Sequence, residues 1–397
     1  EYAFPNEIDI GSQLGWDALV VADESGVGTV YVDTAPGTDS TNINEDLSSN
    51  GVVARDQNTP GGFLDSYYNS ELDAVEFSVS RSALEDAGCT WQDIDAVVLG
   101  KAPDMFEGVM MPEIFLSDAL GAVGKPMLRV HTAGSVGGST ALVAASLIQA
   151  GVHQRVLTVA YEKQSEGNAM WALTIARPFS VAVVAGAGGY FAPLIRAYIR
   201  RSGAPDDTGI RVALKDRKNA LKNPYAHLQI PDIDFDTIAN SPMLWDPIRY
   251  LETCPSSDGA CALVLASEEA AKKSPTPPAW IHATEMKSEP TMFSGRDQVM
   301  PQAGMDCARS LYKKAGIHEP RKELDMAEIY VPFSWFEPMW MENLGFAEEG
   351  SGWKMTYEGA TAMDGDMPIN CSGGVLSSNP IGASGMLRYA ESAMQVR

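Results

Sequence analysis

Basic residues are scarce in this chain. Lysine and arginine total 29 against 52 aspartates and glutamates, for a formal net charge of −23. Phosphate backbones and anionic membranes are held by basic surfaces, so neither is expected as a general partner. No run of 18 or more apolar residues occurs, which excludes an ordinary membrane-spanning helix from the reading. Cysteine is also sparse: five in 397 residues, an odd number, with no CxxC pair. A disulfide framework and a structural zinc site are therefore not expected, and no metal site is read. Free, mostly buried thiols fit a reducing, cytoplasmic setting. No secretory signal pattern opens the chain, and it begins at Glu1 without Met, so upstream residues are expected to be missing.

What is present is ordinary globular composition, 45% apolar and 20% charged, at a length fit for two or three domain-sized units. Residues 1–72 are the least readable. Ala18–Ala22 and Val27–Val32 look like strands, and the Thr/Ser/Asn/Asp/Gly-rich stretch 34–60 reads as loop. From Asp73 the pattern sharpens. Val75, Phe77, Ser78, Arg81, Leu84 and Ala87 suit a helix that Gly88 ends, and Ile94–Leu99 reads as a buried strand.

The same order of signals returns later. Cys307–Ala315 reads as helix, Gly316 as its stop and Leu324–Val331 as the strand. A second pair also matches: the Gly/Ser turn and apolar helix of 134–151 against those of 372–395. Two halves with one pattern argue for an internal duplication. Alternating strands and helices argue for α/β halves with mostly parallel sheets. The expected layout is an unassigned segment 1–72, an N-terminal half 73–270 carrying an insertion at 161–250, and a C-terminal half 271–397. The insertion is rich in Gly and aromatic residues, as binding loops often are. Its lone GxGG at Gly186–Gly189 is a weak phosphate-binding signal and more often a tight turn.

Four segments occur in an order that carries a family resemblance. They are "RVHTAGSVGGSTALVAASL" (129–147), "ETCPSSDGACALVLAS" (252–267), "AEIYVPFSWFEPMWMENLGFAEEG" (327–350) and "SGGVLSSNPIGASG" (372–385). Together they resemble the thiolase superfamily, in the branch of the sterol carrier protein x thiolase domain and the actinobacterial lipid-transfer proteins, over about residues 74–397. The resemblance implies a five-layer αβαβα thiolase fold of two similar halves, a homodimer, and an acyl-CoA bound between the halves and the insertion.

Set against the family pattern, three working positions differ. The nucleophilic cysteine falls on Ser135, the histidine of an HDxF segment on Tyr330, and the histidine of GHP on Asn379. Cys371, one residue before the Ser-Gly-Gly turn, is read as structural. A serine hydroxyl attacks a carbonyl only with a base beside it; His131 is four residues away, and Ser135 also suits a helix N-cap. Loss of thiol and both imidazoles argues against a covalent acyl-enzyme. The superfamily's sterol side-chain aldolases resemble this chain in carrying a tyrosine at the HDxF position. Their retro-aldol chemistry needs a base for the β-hydroxyl and donors for the enolate. Tyr330 is then the acid or base, and Asn379 with the Gly373 and Gly374 amides the oxyanion donors.

By the resemblance, Gly137 and Gly138 belong to a retained glycine scaffold of the acyl-CoA cradle. Arg177, Lys215, Arg217 and Arg296 are candidates for CoA phosphates. Trp335, with Phe336, Trp340 and Trp245, is a candidate lining for a steroid-sized pocket, or else core. The leading expectation is an acyl-CoA aldolase. The alternatives are a β-ketoacyl-CoA thiolase or acyltransferase using Ser135, and a non-catalytic acyl-CoA or lipid-binding subunit. Coenzyme A enters only as part of the substrate, with no resident cofactor. By resemblance, a small zinc-ribbon/OB-fold protein is a possible partner.

Overall fold

The structure is a computed structural model and describes residues 18–22, 28–32, 53–55, 71–102, 111–164, 186–289 and 296–397. Its strands are β1 (Ala18–Ala22), β2 (Gly28–Val32), β3 (Val53–Arg55), β4 (Ala96–Lys101), β5 (Met127–Val130), β6 (Arg155–Lys163), β7 (Met243–Trp245), β8 (Ile248–Arg249) and β9 (Asp258–Ala266). The longer helices are α1 (Glu71–Ala87), α2 (Val136–Gln149), α3 (Gly186–Ser202), α4 (Thr208–Ala220), α5 (Gln302–Ala315), α6 (Phe336–Asn343) and α7 (Ile381–Val396). The two strands expected near the start are β1 and β2, paired antiparallel. The stretch read as loop contains β3, which pairs with β2.

The central sheet has the order β5-β4-β6-β9. β4 runs parallel to both neighbours, and β9 returns antiparallel along the whole of β6. Every residue of β4 is buried, as expected of a strand covered on both faces. Val97 and Leu99 point into one cluster with Leu84, Leu116 and Leu157. Val98 points into the other, with Ala144, Ala145 and Leu265. Each such side chain contributes about 1.5–3 kcal/mol of burial. One face is therefore covered by α1 and the other by α2. The helix stop foreseen at Gly88 is real: its φ is +64°, which an L side chain resists.

On its outer side α2 meets α7. A Cβ added to Gly137 would stand 2.6 Å from the Met386 nitrogen, and one on Gly385 2.4 Å from the Gly138 nitrogen. The two helices thus touch backbone to backbone near their starts. That contact brings the residues leading into α2 and those leading into α7 to one end of the molecule. It also explains Gly137, expected in the acyl-CoA cradle: it is a helix–helix contact residue in the first turn of α2, whereas a Cβ added to Gly138, expected there too, would meet nothing within 4 Å.

In the segment expected to form the C-terminal half, α5 ends on Gly316 in the left-handed region, as foreseen. The strand expected over Leu324–Val331 forms only a single bridge, Ala327 with Ile369. The reason is local. Ala327 N–H donates to the Pro368 carbonyl and Asn370 N–H to the Ala327 carbonyl. The next available donor, Ile329 N–H, goes instead to the Asn370 side chain at 2.8 Å. A side chain has replaced the next rung of the ladder.

Within the segment expected to supply binding loops, the described residues 186–220 are largely helical. Gly186–Gly189 opens α3, and a Cβ on Gly188 would meet the Trp245 ring at 2.3 Å. These glycines let α3 lie against the β7–β8 ribbon and make no phosphate loop. Among the described residues no helix is long and apolar enough to cross a membrane.

Candidate active site

Four segments meet before the start of α7, those carrying Asn379, Tyr330, Cys254 and His227. Asn379 lies just before α7 and is 2% exposed. Its Oδ1 accepts from Ser384 Oγ at 2.8 Å and, at 3.4 Å, from the Tyr330 hydroxyl. Its Nδ2 donates to Cys254 Sγ at 3.1 Å. Tyr330 is held on both sides: Trp340 Nε1 donates to its carbonyl at 2.9 Å, and Ile329 is tied to Asn370. Cys254 N–H donates to the Pro332 carbonyl at 2.9 Å, which locks the 253–258 loop onto the Tyr330 segment.

Burial dominates the electrostatics here. It holds the Tyr330 phenol well above its ordinary value, with the Cys254 sulfur adding to the effect. The Cys254 thiol is pushed up to about 11, chiefly by burial. Both groups keep their protons at neutral pH. The cluster therefore offers a neutral O–H, a neutral S–H and an amide, which is a set of donors rather than bases.

The structure brings Tyr330 and Asn379 together and leaves the other expected residues in different roles. Ser135 is exposed at the start of α2, and its hydroxyl donates to the Thr132 carbonyl at 2.7 Å. It makes no side-chain cap, and His131 is not among its hydrogen-bond partners. The Gly373 and Gly374 amides, expected as oxyanion donors, are already used: the first donates to the Asn370 carbonyl at 2.9 Å, the second to Ser372 Oγ at 3.1 Å.

Trp335, a candidate pocket lining, is wholly buried with Val331, Phe333, Phe336, Met339 and Tyr198. It is core, because its segment turns inward to start α6. Arg177 lies outside the described residues. Arg296 pairs with Glu289 at 2.8 Å. Lys215 is spent on Asp216 and Glu337, and Arg217 is held through Nε and Nη2 by the carbonyls of Leu251 and Thr253.

Three residues of the site were not foreseen as such. Cys254 carried no motif that marked it beyond the family segment. Ser257 and His227 are 30 positions apart, yet His227 Nδ1 lies 2.8 Å from Ser257 Oγ. Ser257 Oγ also accepts the Asn379 N–H at 3.0 Å. Only tertiary contact joins these groups, so spacing could not have found them.

Glu252 supports the same loop from beneath. It accepts from Arg249 N–H at 3.0 Å and from Ser334 Oγ at 3.2 Å. Burial raises its carboxyl to about 7. An acid raised on folding favours the folded state most when protonated. Its contribution is complete below the unfolded value near 4.5 and is lost as pH rises toward 7. Glu252→Gln is expected to flatten the stability curve across that window by on the order of 3 kcal/mol, read by urea unfolding at pH 5 and pH 8. An unchanged slope would refute the assignment.

Comparison with known proteins places the chain in context. A family model described as thiolase C-terminal domain-like matches residues 285–397. The chain is 28% identical over 324 residues to an acetyl-CoA acetyltransferase of Methanothermobacter thermautotrophicus, covering 79% of this chain and 83% of that one. It is 28% identical over 349 residues to sterol carrier protein 2 of Bos taurus, covering 83% of this chain and 63% of that protein. This chain thus spans somewhat less than two thirds of the sterol carrier protein. It is 30% identical over 212 residues to the 17-hydroxy-3-oxo-4-pregnene-20-carboxyl-CoA lyase of Mycobacterium tuberculosis, covering 52% and 54%. Among solved structures, an Ltp2–ChsH2(DUF35) aldolase superposes with a TM-score of 0.68 at 24% identity, covering 79% of this chain and 83% of that one. The overall architecture is shared with that aldolase.

Proposed function

Because the chain belongs to the thiolase superfamily, in its sterol carrier protein x and lipid-transfer branch, we propose that it is a carbon–carbon lyase. Its reaction is retro-aldol cleavage of a branched β-hydroxyacyl-CoA, of which a steroid side-chain thioester is the favoured class. The products are a ketone and a shorter acyl-CoA. The observation that carries the reading is the Tyr330–Asn379 contact at 3.4 Å, at the two positions that, by the resemblance, hold imidazoles in thiolases. A phenol that keeps its proton can donate to the enolate oxygen that develops as the Cα–Cβ bond breaks. Asn379, with one amide N–H on Cys254, has a second to offer the same oxygen. Coenzyme A arrives and leaves as part of substrate and product.

The acyltransfer reading asks more of Ser135 than its surroundings supply. Its hydroxyl proton is given to a backbone carbonyl, and no imidazole is there to take it. The lyase neighbours support the retro-aldol reading: a curated relative named as a steroid acyl-CoA lyase and a structural neighbour named as an aldolase with a DUF35 protein. By the same analogy a small partner of zinc-ribbon and OB-fold type is proposed. A second copy is proposed on β5, which is an edge strand among the described residues. There Leu128 is 44% exposed, beside Met111, Ile114 and Phe115, each more than half exposed.

The test is ketone release from a β-hydroxyacyl-CoA without free CoA, with and without such a partner protein. Ser135→Ala is expected to leave that rate within a few-fold of the parent. Cleavage that requires free CoA and vanishes in Ser135→Ala would favour a thiolase instead. Thioester binding without turnover would leave a binding subunit.

A further inference from the structure

The donors of the site leave the reaction without a proton acceptor, because the phenol and the thiol both hold their protons. We infer that His227 and Ser257 form the base couple of this active site, an inference that rests on the lyase reading. The two are joined at 2.8 Å, Nδ1 to Oγ. Hydrogen-bond accounting orients the pair. Ser257 is 1% exposed, and its Oγ has two partners, the His227 ring and the Asn379 N–H. The amide can only donate, so the one acceptor for the Ser257 proton is His227 Nδ1. In that arrangement the ring's own proton sits on Nε2.

The couple is built into the site. His227 N–H donates to Ser378 Oγ at 2.8 Å, and Leu228 N–H to the Ser377 carbonyl at 2.9 Å. The histidine is therefore fastened to the turn that presents Asn379. Ser257 belongs to the loop that carries Cys254. The Asn379 N–H also steadies negative charge on Ser257 Oγ, as an oxyanion donor does.

The step balances without a co-reactant. The β-hydroxyl proton passes to Ser257 Oγ while the Ser257 proton passes to His227 Nδ1. The freed O–H pair becomes the ketone C=O, the Cα–Cβ bond breaks, and its pair moves onto the thioester as an enolate. The imidazolium returns its proton through Ser257 to the α-carbon. Nothing is oxidised or reduced overall.

His227→Gln separates base from scaffold. Glutamine can still bond Ser257 but cannot take its proton. The expected result is a kcat lower by about 10²-fold or more, with KM for the thioester little changed. Added imidazole should restore part of the rate to His227→Ala, which a purely structural role would not allow. Nitrogen-15 NMR of the labelled parent should show Nδ1 as the hydrogen-bond acceptor of the pair, a signature altered in Ser257→Ala. A parent chain unable to cleave β-hydroxyacyl-CoA even with its partner would overturn the lyase reading. His227→Gln turning over at the parental rate, in a protein that does cleave, would overturn the base couple alone.

Discussion

Tyr330→Phe is expected to lower ketone release by about 10²- to 10⁴-fold, the usual span for losing one positioned proton donor. The ring stays, so packing around Val331 and Trp340 should survive. The hydroxyl's hydrogen bond to Asn379 Oδ1 is long at 3.4 Å, and losing it should cost little stability. The penalty falls on the transition state, where charge first appears on the thioester oxygen. Accordingly kcat should fall while KM barely moves. Steady-state kinetics with a melting curve as control decide the matter. A Tyr330→Phe variant within a few-fold of the parent would remove this phenol from the chemistry.

Local signals made much of this frame legible. Gly88 and Gly316 stop their helices because both positions sit at positive φ, and an Ala-Gly pair at a helix end announces that. β4 is readable because a short run of β-branched and Leu residues between turns fits a strand covered on both faces. The Gly/Ser turns before α2 and α7 marked the helix starts, and their backbone contact through Gly137 and Gly385 is what brings Ser135 and Asn379 to the same end.

What could not be read was the use of hydrogen-bond donors. A Gly-Gly pair before a short helix looks like an oxyanion site until Asn370 and Ser372 are seen to take its amides. Ile329 looks like a strand residue until the Asn370 side chain captures its N–H. His227 carries no motif, and its partner Ser257 is reached only through the fold. Periodicity and spacing report burial and turns; they do not report which of several nearby acceptors a given proton chooses.

Lys215 presents the second large expectation, now on stability. It looked like a surface cation for CoA, yet its Nζ sits 3.0 Å from Glu337 Oε2, 2.7 Å from the Ile369 carbonyl and 2.5 Å from Asp216 Oδ1. Both carboxyls are wholly buried. Lys215→Met keeps the length of the stem and removes the charge. Two carboxyl groups would then face each other in the interior without their ammonium, at a cost of about 3–5 kcal/mol. The turn leading to Gly373 would lose its tie at Ile369 as well.

The pH dependence gives the expectation a second handle. Burial already raises the Glu337 carboxyl to about 7, and the lysine works against that rise. Without it the carboxyl is raised further. The raised acid favours the folded state below its unfolded value near 4.5 and withdraws that support as pH climbs. The deficit of Lys215→Met should therefore be deepest near pH 8 and smaller near pH 5, where protons replace the missing cation. Adding Glu337→Gln should recover part of the loss at the higher pH, because one of the two carboxylates is gone. Urea unfolding of the single and double variants at both values measures it. An equal deficit at both pH values would mean that Lys215 stabilises through its stem alone and that its charge is not what holds the Glu337–Asp216 cluster together.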